Sequence, residues 1–267
     1  MNNKLGLIAG EGKYPQIVAR EASERSVTVC AVALNGITAP GLEKYADKIF
    51  WMNIGQLGKL IKTFKNEGVT EVVMAGKTPK TLMFSEIKPD FRAAALFFRL
   101  KNRKDDSILT GVADELKKEG IILQNSTYYI SSMMAKKGVL TKKIPTKNEF
   151  KDIEFGWEIA QEMGRLDIGQ CVVVKDQAIL AIEAIEGTDE AIKRGGILGG
   201  KGSVAVKVSK PNQDMRFDVP AIGLETVKSL MEAGTSVLAI EAEKTIIFDQ
   251  EGMLKLADQA GISIIVK

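Results

Sequence analysis

Two carboxylates and two cations share one short polar segment, residues 210–223 (KPNQDMRFDVPAIG). Asp214 and Asp218 lie there with Lys210 ahead of them and Arg216 between them. Carboxylate oxygens are ligands for hard divalent cations, and cationic side chains neutralise phosphate oxygens. The segment therefore predicts a site that holds a metal and a phosphate together. The alternative is a solvated connecting loop with ordinary ion pairs.

The chain has 267 residues and no histidine, which removes the commonest acid-base group at neutral pH and the commonest transition-metal ligand. Histidine-based triads, zinc hydrolase sites and histidine-containing dinuclear phosphoesterase sites are excluded. Any hydrolytic chemistry must use Asp, Glu and Lys, with Mg²⁺ or Mn²⁺ as the metal. Glu186 and Asp189 are further candidate metal ligands, although Asp189 is equally placed to cap a helix. Glu183, in the same stretch, fits a surface ion pair better.

A glycine turn follows the first apolar run, KLGLIA, and precedes a helix-like run. This order is the opening unit of a Rossmann-like domain, in which Gly10 and Gly12 present backbone N–H groups to a phosphate. The third glycine of the dinucleotide fingerprint is absent from its usual position, so a tight turn without a ligand is the alternative.

A second turn, Gly76-Lys77-Thr78-Pro79, ends the strand-like run EVVMA. Ligands of parallel sheets bind at the carboxyl ends of the strands, so Gly12 and Gly76 are expected on one rim. Lys77 would meet a phosphate there, and an ordinary surface lysine is the alternative. Arg216 alternates with the two aspartates, and in an extended segment it would face away from both. Lys210 or Lys77 is therefore the preferred phosphate contact.

Strand-like and helix-like runs alternate along the whole chain, which predicts an α/β protein. We expect a Rossmann-like N-terminal domain at residues 1–135 and a distinct α/β C-terminal domain at 145–267, with the ligand site between them. Residues 1–150 contain 24 Lys and Arg against 15 Asp and Glu, a net of +9, and the remainder contains 13 against 19, a net of −6. This asymmetry suits an anionic ligand held with a metal on the acidic side, or is a plain surface property.

Other stretches carry expectations of their own. Cys30 and Cys171 lie in apolar runs and are expected to be buried free thiols. The glycine-rich residues 195–202 predict a mobile loop that closes over a ligand. Residues 80–104 mix phenylalanines with lysines and arginines, as in an amphipathic helix packed inward, a membrane-surface segment or an acyl-chain channel. No uncharged apolar run approaches the roughly 20 residues of a membrane span, which favours a cytoplasmic protein.

Three motifs together, DIGQ at 167–170, EAIEGTD at 183–189 and the segment 210–223, resemble the histidine-independent UDP-2,3-diacylglucosamine pyrophosphatase family of lipid A biosynthesis. The glycine turn, residues 76–77 and residues 105–106 fit as well. The resemblance implies Mg²⁺-dependent hydrolysis of UDP-2,3-diacylglucosamine to UMP and 2,3-diacylglucosamine 1-phosphate. It also implies peripheral contact with the inner membrane surface and no nucleic-acid partner, and it leaves a homodimer open.

The candidate site follows from these patterns and the resemblance. The catalytic candidates are Asp214, as the essential carboxylate, and Asp218, as its partner. The metal candidates are these two with Glu186 and Asp189. The substrate-binding candidates are Gly10, Gly12, Gly76, Lys77, Thr78, Thr188 and Lys210. A dinucleotide-dependent reductase and a non-catalytic two-lobed nucleotide-sugar-binding protein are the alternatives; the incomplete glycine pattern argues against the reductase.

Overall fold

The structure is a computed structural model that describes residues 3–77, 88–100, 105–211 and 213–267, with only the backbone at residues 105 and 106. These residues divide into two compact units. The first unit is Met1–Ser131 with Asp214–Phe217, and the second is Ser132–Gln213 with Asp218–Lys267. The α/β class and the two-domain organisation are confirmed. Nothing in the sequence indicated that the short segment Asp214–Phe217 packs with the first unit.

In the described part of the first unit, five strands form a parallel sheet in the order β3-β2-β1-β4-β5. The strands are β1 (Lys4–Ala9), β2 (Thr28–Leu34), β3 (Lys48–Met52), β4 (Glu71–Ala75) and β5 (Ile122–Leu123). The helices are α1 (Tyr14–Glu24), α2 (Leu57–Asn66), α3 (Phe91–Arg99) and α4 (Asp105–Lys118), with a short 3-10 turn at Leu42–Lys44. A kinked 3-10 segment spans Tyr128–Met133.

The sequence explains these elements directly. β2 is buried from its second residue to its last, as expected for a parallel strand covered on both faces. α2 buries Leu57, Leu60, Ile61 and Phe64, the spacing of one helical face. Strand order reverses between β1 and β4, which makes their carboxyl ends the switch point where ligands of such sheets bind.

In the described second unit, six strands form a mixed sheet in the order β6-β13-β11-β9-β7-β8, and two more form a small pair, β10-β12. The strands are β6 (Gly138–Val139), β7 (Cys171–Lys175), β8 (Ala178–Ile182), β9 (Val204–Lys207), β10 (Ala221–Ile222), β11 (Val237–Ile240), β12 (Ile246–Ile247) and β13 (Ser263–Val266). The helices are α5 (Lys147–Arg165), α6 (Thr188–Gly199), α7 (Leu224–Ala233) and α8 (Gln250–Gln259).

The expected mobile glycine loop at residues 195–202 is wrong over most of its length, because α6 continues to Gly199. A Cβ on Gly195 would lie 2.6 Å from Val173 Cβ, and one on Gly196 would lie 2.2 Å from the carbonyl oxygen of Ala233. The glycines therefore let α6 approach β7 and α7 closely. The absence of side chains at these positions permits close helix packing. The sequence pattern alone had predicted flexibility instead.

Both cysteines are buried free thiols, as expected. Burial raises the pKa of Cys171 to about 12, which removes it as a nucleophile. Within the described ranges, no helix is long and apolar enough to cross a membrane.

An ion-pair cluster fixes α3 on α4. The Glu115 side chain is 6% exposed and accepts hydrogen bonds from Lys118 at 2.7 Å, Arg92 at 2.9 Å and Arg99 at 2.7 Å. The bond from Lys118, followed by those from the two arginines, lowers the pKa of Glu115 to about 2 against the opposing effect of burial. At the other end of α3, Asp90 accepts from Ala93 N–H and, in α2, from Gly58 N–H.

We expect Glu115→Gln to lower the free energy of unfolding at pH 7 by about 1.5–3 kcal/mol, the range for hydrogen bonds to charged groups. The folded-state pKa of about 2 lies below the ordinary 4.5, so the stabilisation is present above pH 4.5 and disappears as the pH falls toward 2. Urea titrations followed by circular dichroism at neutral and acid pH measure this. Glu162→Gln, which removes an exposed pair with Arg165, is the control and should change little. A difference from wild type that is the same at both pH values would contradict the assignment.

Candidate functional site

The rim of the first sheet brings both predicted glycine turns together. Ala9 of β1 pairs with Ala75 of β4, and the chains then form one antiparallel bridge between Glu11 and Lys77. Glu11 N–H donates to Lys77 O at 2.7 Å, and Lys77 N–H donates to Glu11 O at 3.1 Å. Gly12 and Gly76 therefore lie on one rim, at the switch point, as expected.

Glycine is required on this rim for steric reasons. A Cβ on Gly10 would lie 2.6 Å from Lys77 O, and one on Gly76 would lie 2.6 Å from Glu11 O. Gly76 and Gly12 also share a φ of +93°, which side-chain-bearing residues rarely adopt, but a Cβ on Gly12 would meet open space. Lys77 is exposed beside them. Thr78 lies outside the described residues, as do residues 80–87 and 101–104 of the aromatic and basic stretch.

A cavity of about 610 Å³ adjoins this rim within the first unit. It lies beyond the carboxyl ends of β1 to β4 and is walled by α2, α3 and α4. Gly10 and Gly76 line it beside apolar side chains that include Leu34, Met74, Phe97 and Phe217. An apolar chamber next to a polar backbone rim suits a ligand that is apolar at one end and anionic at the other. The Gly10 N–H, expected to meet a phosphate, donates to Ala75 O at 2.8 Å and is already used within the rim.

The three sequence motifs of the second half all lie at the same end of the strands of the second sheet. The strand register places Cys171 beside Lys207, and Lys207 beside Ile240, so β7 begins where β9 and β11 end. DIGQ precedes β7, EAIEGTD follows β8 and the segment 210–223 follows β9. Segments widely separated in the chain are thus collected along one edge.

Glu183 braces two of these motifs together, so the expected surface ion pair is wrong. The residue is 8% exposed and accepts hydrogen bonds from Gln170 N–H at 3.3 Å and from the Thr188 hydroxyl at 3.1 Å. A Cβ on Gly169 would lie 2.1 Å from Glu183 O, so the DIGQ turn needs its glycine to pass this brace.

The expected cap at Asp189 is also corrected. The N-cap of α6 is Gly187, which makes no side-chain capping bond, and Asp189 lies in the first helical turn. A carboxylate there interacts favourably with the positive end of the helix dipole. Glu186 is exposed and accepts from its own backbone N–H and from Arg194 at 2.5 Å, which together lower its pKa.

The segment 210–223 is polar, and both of its cations form ion pairs with carboxylates. In the second unit, Lys210 Nζ donates to Asp167 Oδ1 at 2.7 Å, and Gln213 Nε2 donates to the exposed Asp218 at 2.7 Å. Ser209 N–H donates to Glu241 at 2.7 Å. Lys210 therefore already has a carboxylate partner from DIGQ, and an incoming phosphate would compete with it.

Arg216 does not face away from Asp214, because residues 215–217 form a turn and are not extended. Its Nη2 lies 2.6 Å from Asp214 Oδ2, and its Nε lies 2.9 Å from Oδ1. The hydrogen bond from Arg216 is the main cause that lowers the pKa of Asp214. Asp214 is therefore ionised at neutral pH, which suits a cation ligand and not a general acid. The Arg216 guanidinium also lies 5.0 Å from the ring centre of Phe217, a residue of the cavity wall.

The candidate metal ligands fit Mg²⁺ by donor type. Over the ranges that the structure describes, no three Asp, Glu or Cys side chains are grouped to hold a metal. Within the second unit, Asp218, Glu186 and Asp189 therefore do not form an all-protein cage. Mg²⁺ commonly keeps its waters and takes one or two carboxylates with the phosphates of a substrate, and Asp214 and Asp218 supply that donor type.

Sequence reasoning did not find Gln170, Lys207, Ser209 and Glu241. Lys207 is buried in β9 and donates to Ala221 O at 3.0 Å. Gln170 Oε1 is shielded from solvent and accepts no hydrogen bond from any described residue. Each of these residues lies within two positions of the first or last residue of a buried strand. That position was the sequence signal that could have marked them as site residues.

Comparison with known proteins decides the family. The model of the LpxI N-terminal domain matches residues 4–133, and that of the LpxI C-terminal domain matches residues 136–265. The chain belongs to the LpxI family. A curated member, the UDP-2,3-diacylglucosamine pyrophosphatase LpxI of Caulobacter vibrioides, is 32% identical over 275 residues, 98% of this chain and 96% of that protein. The resemblance carried by the three motifs is thereby confirmed.

Among solved structures, the biotin carboxylase subunit of pyruvate carboxylase is similar at 13% identity, over 87% of this chain and 40% of that one. The TM-score of that match is 0.28, too low to indicate a shared fold. The junction between the two LpxI domains, at residues 133 to 136, lies close to the first division of the structure after Ser131.

We expect Gly76→Ala to destabilise the protein by about 2 kcal/mol more than Gly12→Ala. Both variants impose a Cβ at φ +93°, but only the Cβ of Gly76→Ala meets a carbonyl oxygen. Urea unfolding of the two variants and wild type measures the difference. Equal losses would mean that the two loops separate easily and that the rim is not rigid.

Proposed function

We propose that this chain hydrolyses the pyrophosphate bond of UDP-2,3-diacylglucosamine and releases UMP and 2,3-diacylglucosamine 1-phosphate, a Mg²⁺-dependent step of lipid A biosynthesis. The observation that carries the proposal is the apolar cavity beside the glycine rim at the β1/β4 switch point. The substrate in the name of the Caulobacter relative has this division, with acyl chains at one end and a nucleotide pyrophosphate at the other.

The cavity suits an acyl chain of the substrate. Its wall contains Met74, Phe97 and Phe217, and each methylene buried there contributes about 0.8 kcal/mol. The backbone at Gly10, Gly12 and Gly76 then lies at the polar end of the ligand, with Lys77 and Thr78 following in the chain. In this assignment residues 1–135 are the substrate-binding domain, and residues 145–267 are the catalytic domain.

The charged side chains have separate roles in the proposed reaction. Asp214 is ionised and oriented by Arg216, and it is the essential carboxylate, with Asp218 as its partner. Lys77 and Lys210 are the candidate phosphate contacts. The Thr188 hydroxyl donates to Glu183, which leaves its oxygen free to accept from a sugar hydroxyl. Glu186 and Asp189 remain secondary candidates for the metal. Bound Mg²⁺ would supply charge neutralisation at the pyrophosphate oxygens.

The substrate also sets where the enzyme works. A lipid with two acyl chains resides in a bilayer leaflet, and its nucleotide faces the aqueous side. We therefore propose a cytoplasmic protein in peripheral contact with the inner membrane surface.

We expect Asp214→Asn to lower kcat/KM for UMP release at least about a hundredfold, as for loss of a group that positions the reacting atoms. EDTA should abolish release and added Mg²⁺ should restore it. Binding of Mn²⁺ in the presence of UDP, measured by calorimetry, should weaken in the same variant. Glu225→Gln changes an exposed carboxylate on α7 and should retain full turnover.

Full turnover of Asp214→Asn would refute the central assignment, and turnover in EDTA would refute the metal. Tight binding of the nucleotide sugar without UMP release would instead support a non-catalytic binding protein. An absorbance change on NAD(P)H addition would support a reductase.

We expect Ala94→Phe to raise KM for long-acyl substrates about tenfold, the effect of losing burial of roughly two methylenes. Ala94 lines the cavity, whereas its neighbour Ala95 on α3 does not. Ala95→Phe is therefore the control. KM for a short-acyl analogue should change less in Ala94→Phe. Equal effects on long and short substrates would place the acyl chains elsewhere.

A further inference from the structure

Helix α3 exposes two phenylalanine side chains almost completely. Phe91 is 92% exposed and Phe98 is 91% exposed, while Ala93 and Leu96 of the same helix are buried. Seven residues separate the two rings, which is close to two helical turns. They therefore lie on one face, about 10 Å apart along the helix axis, and that face is directed to solvent.

This face is continuous with the mouth of the cavity. Phe98 belongs to the cavity wall, together with Ala94 and Phe97 of the same helix. One ring thus borders the chamber and the water at the same time.

The surroundings of α3 are cationic. The described residues 88–100 contain Lys88, Arg92 and Arg99 against Asp90, a net of +2. Lys88 is exposed ahead of α3, and Lys59 and Lys62 are exposed on α2, which packs beside it. Arg99 is half-exposed and shares Glu115 with Arg92 and Lys118. Exposed aromatic rings among cations are the chemistry that binds an anionic bilayer surface.

The same charge argues against a second copy of this chain as the partner. A symmetric dimer through α3 would place one cationic face against another. The binding of a bilayer has no such cost, since its anionic headgroups neutralise the lysines while the rings enter the interface.

We propose that the Phe91 and Phe98 face of α3 inserts into the interfacial layer of an anionic bilayer and brings the cavity mouth to the acyl region. What the cavity then takes up rests on the proposed function. The insertion itself does not, because it requires neither substrate nor turnover.

The test measures partition of the full chain onto sedimented vesicles of equimolar phosphatidylcholine and phosphatidylglycerol, with phosphatidylcholine alone for comparison. Wild type should bind the anionic vesicles and dissociate as salt rises from about 0.1 to about 1 M. The double variant Phe91→Ser/Phe98→Ser should lose at least about tenfold in partition. The matched control is Ile185→Ser/Ile197→Ser, which removes side chains 88% and 85% exposed in the second unit and should bind as wild type does.

The proposal is overturned if wild type ignores anionic vesicles, if the α3 variant binds normally, or if the control pair loses as much. It is also overturned if wild type sediments as a dimer that the α3 substitutions dissociate. Circular dichroism and melting temperature check the fold of each variant. The single variant Phe91→Ser, outside the cavity wall, should show a partial loss. A failed UMP-release assay in detergent alongside α3-dependent vesicle binding would remove the proposed function and leave this inference intact.

Discussion

The close approach of the β1 and β4 loops is the constraint on which the candidate site depends. Carbonyl oxygens lie only 2.6 Å from where the Cβ atoms of Gly10 and Gly76 would be, so the rim exists only because both positions lack side chains. The bridge between Glu11 and Lys77 then fixes the direction in which both loops continue. Because this occurs at the reversal of strand order, the backbone itself forms the wall nearest the cavity.

In the second unit, glycines also permit close approach, here of a helix and a turn to their neighbours. Gly195 and Gly196 let α6 lie tightly on β7 and α7, and Gly169 lets the DIGQ turn pass the Glu183 backbone. The buried Glu183 carboxylate then joins that turn to the start of α6. A buried carboxylate is stable only when its acceptors are satisfied, so this brace fixes the loops at that edge of the sheet.

Much of the fold could be predicted from the sequence, because apolar periodicity and turn residues report burial directly. The strands around Cys30 and Cys171 and the switch-point glycines were predicted in this way, whereas the family was identified from the resemblance of three motifs. Arg216 was placed wrongly because alternation holds only for extended backbone, and residues 215–217 turn. Glu183 was misplaced because no local pattern reports that a polar side chain will find buried donors from distant segments. The glycines of α6 were wrongly predicted to form a loop, because glycine is typical both of flexible loops and of closely packed helices.

The short segment Asp214–Phe217 limits how the chain can be divided into fragments, because it packs with the first unit although it lies in the second half of the sequence. The chain passes from one unit to the other after Ser131, again after Gln213 and again after Phe217. A fragment ending at residue 133, where the N-terminal family model stops, would therefore lack Phe217 and with it part of the cavity wall. The evolutionary module and the physical body are not the same set of residues. Gene fusions or domain exchanges at that junction would transfer a cavity that lacks part of its wall. The two halves of the gene are therefore expected to be inherited together.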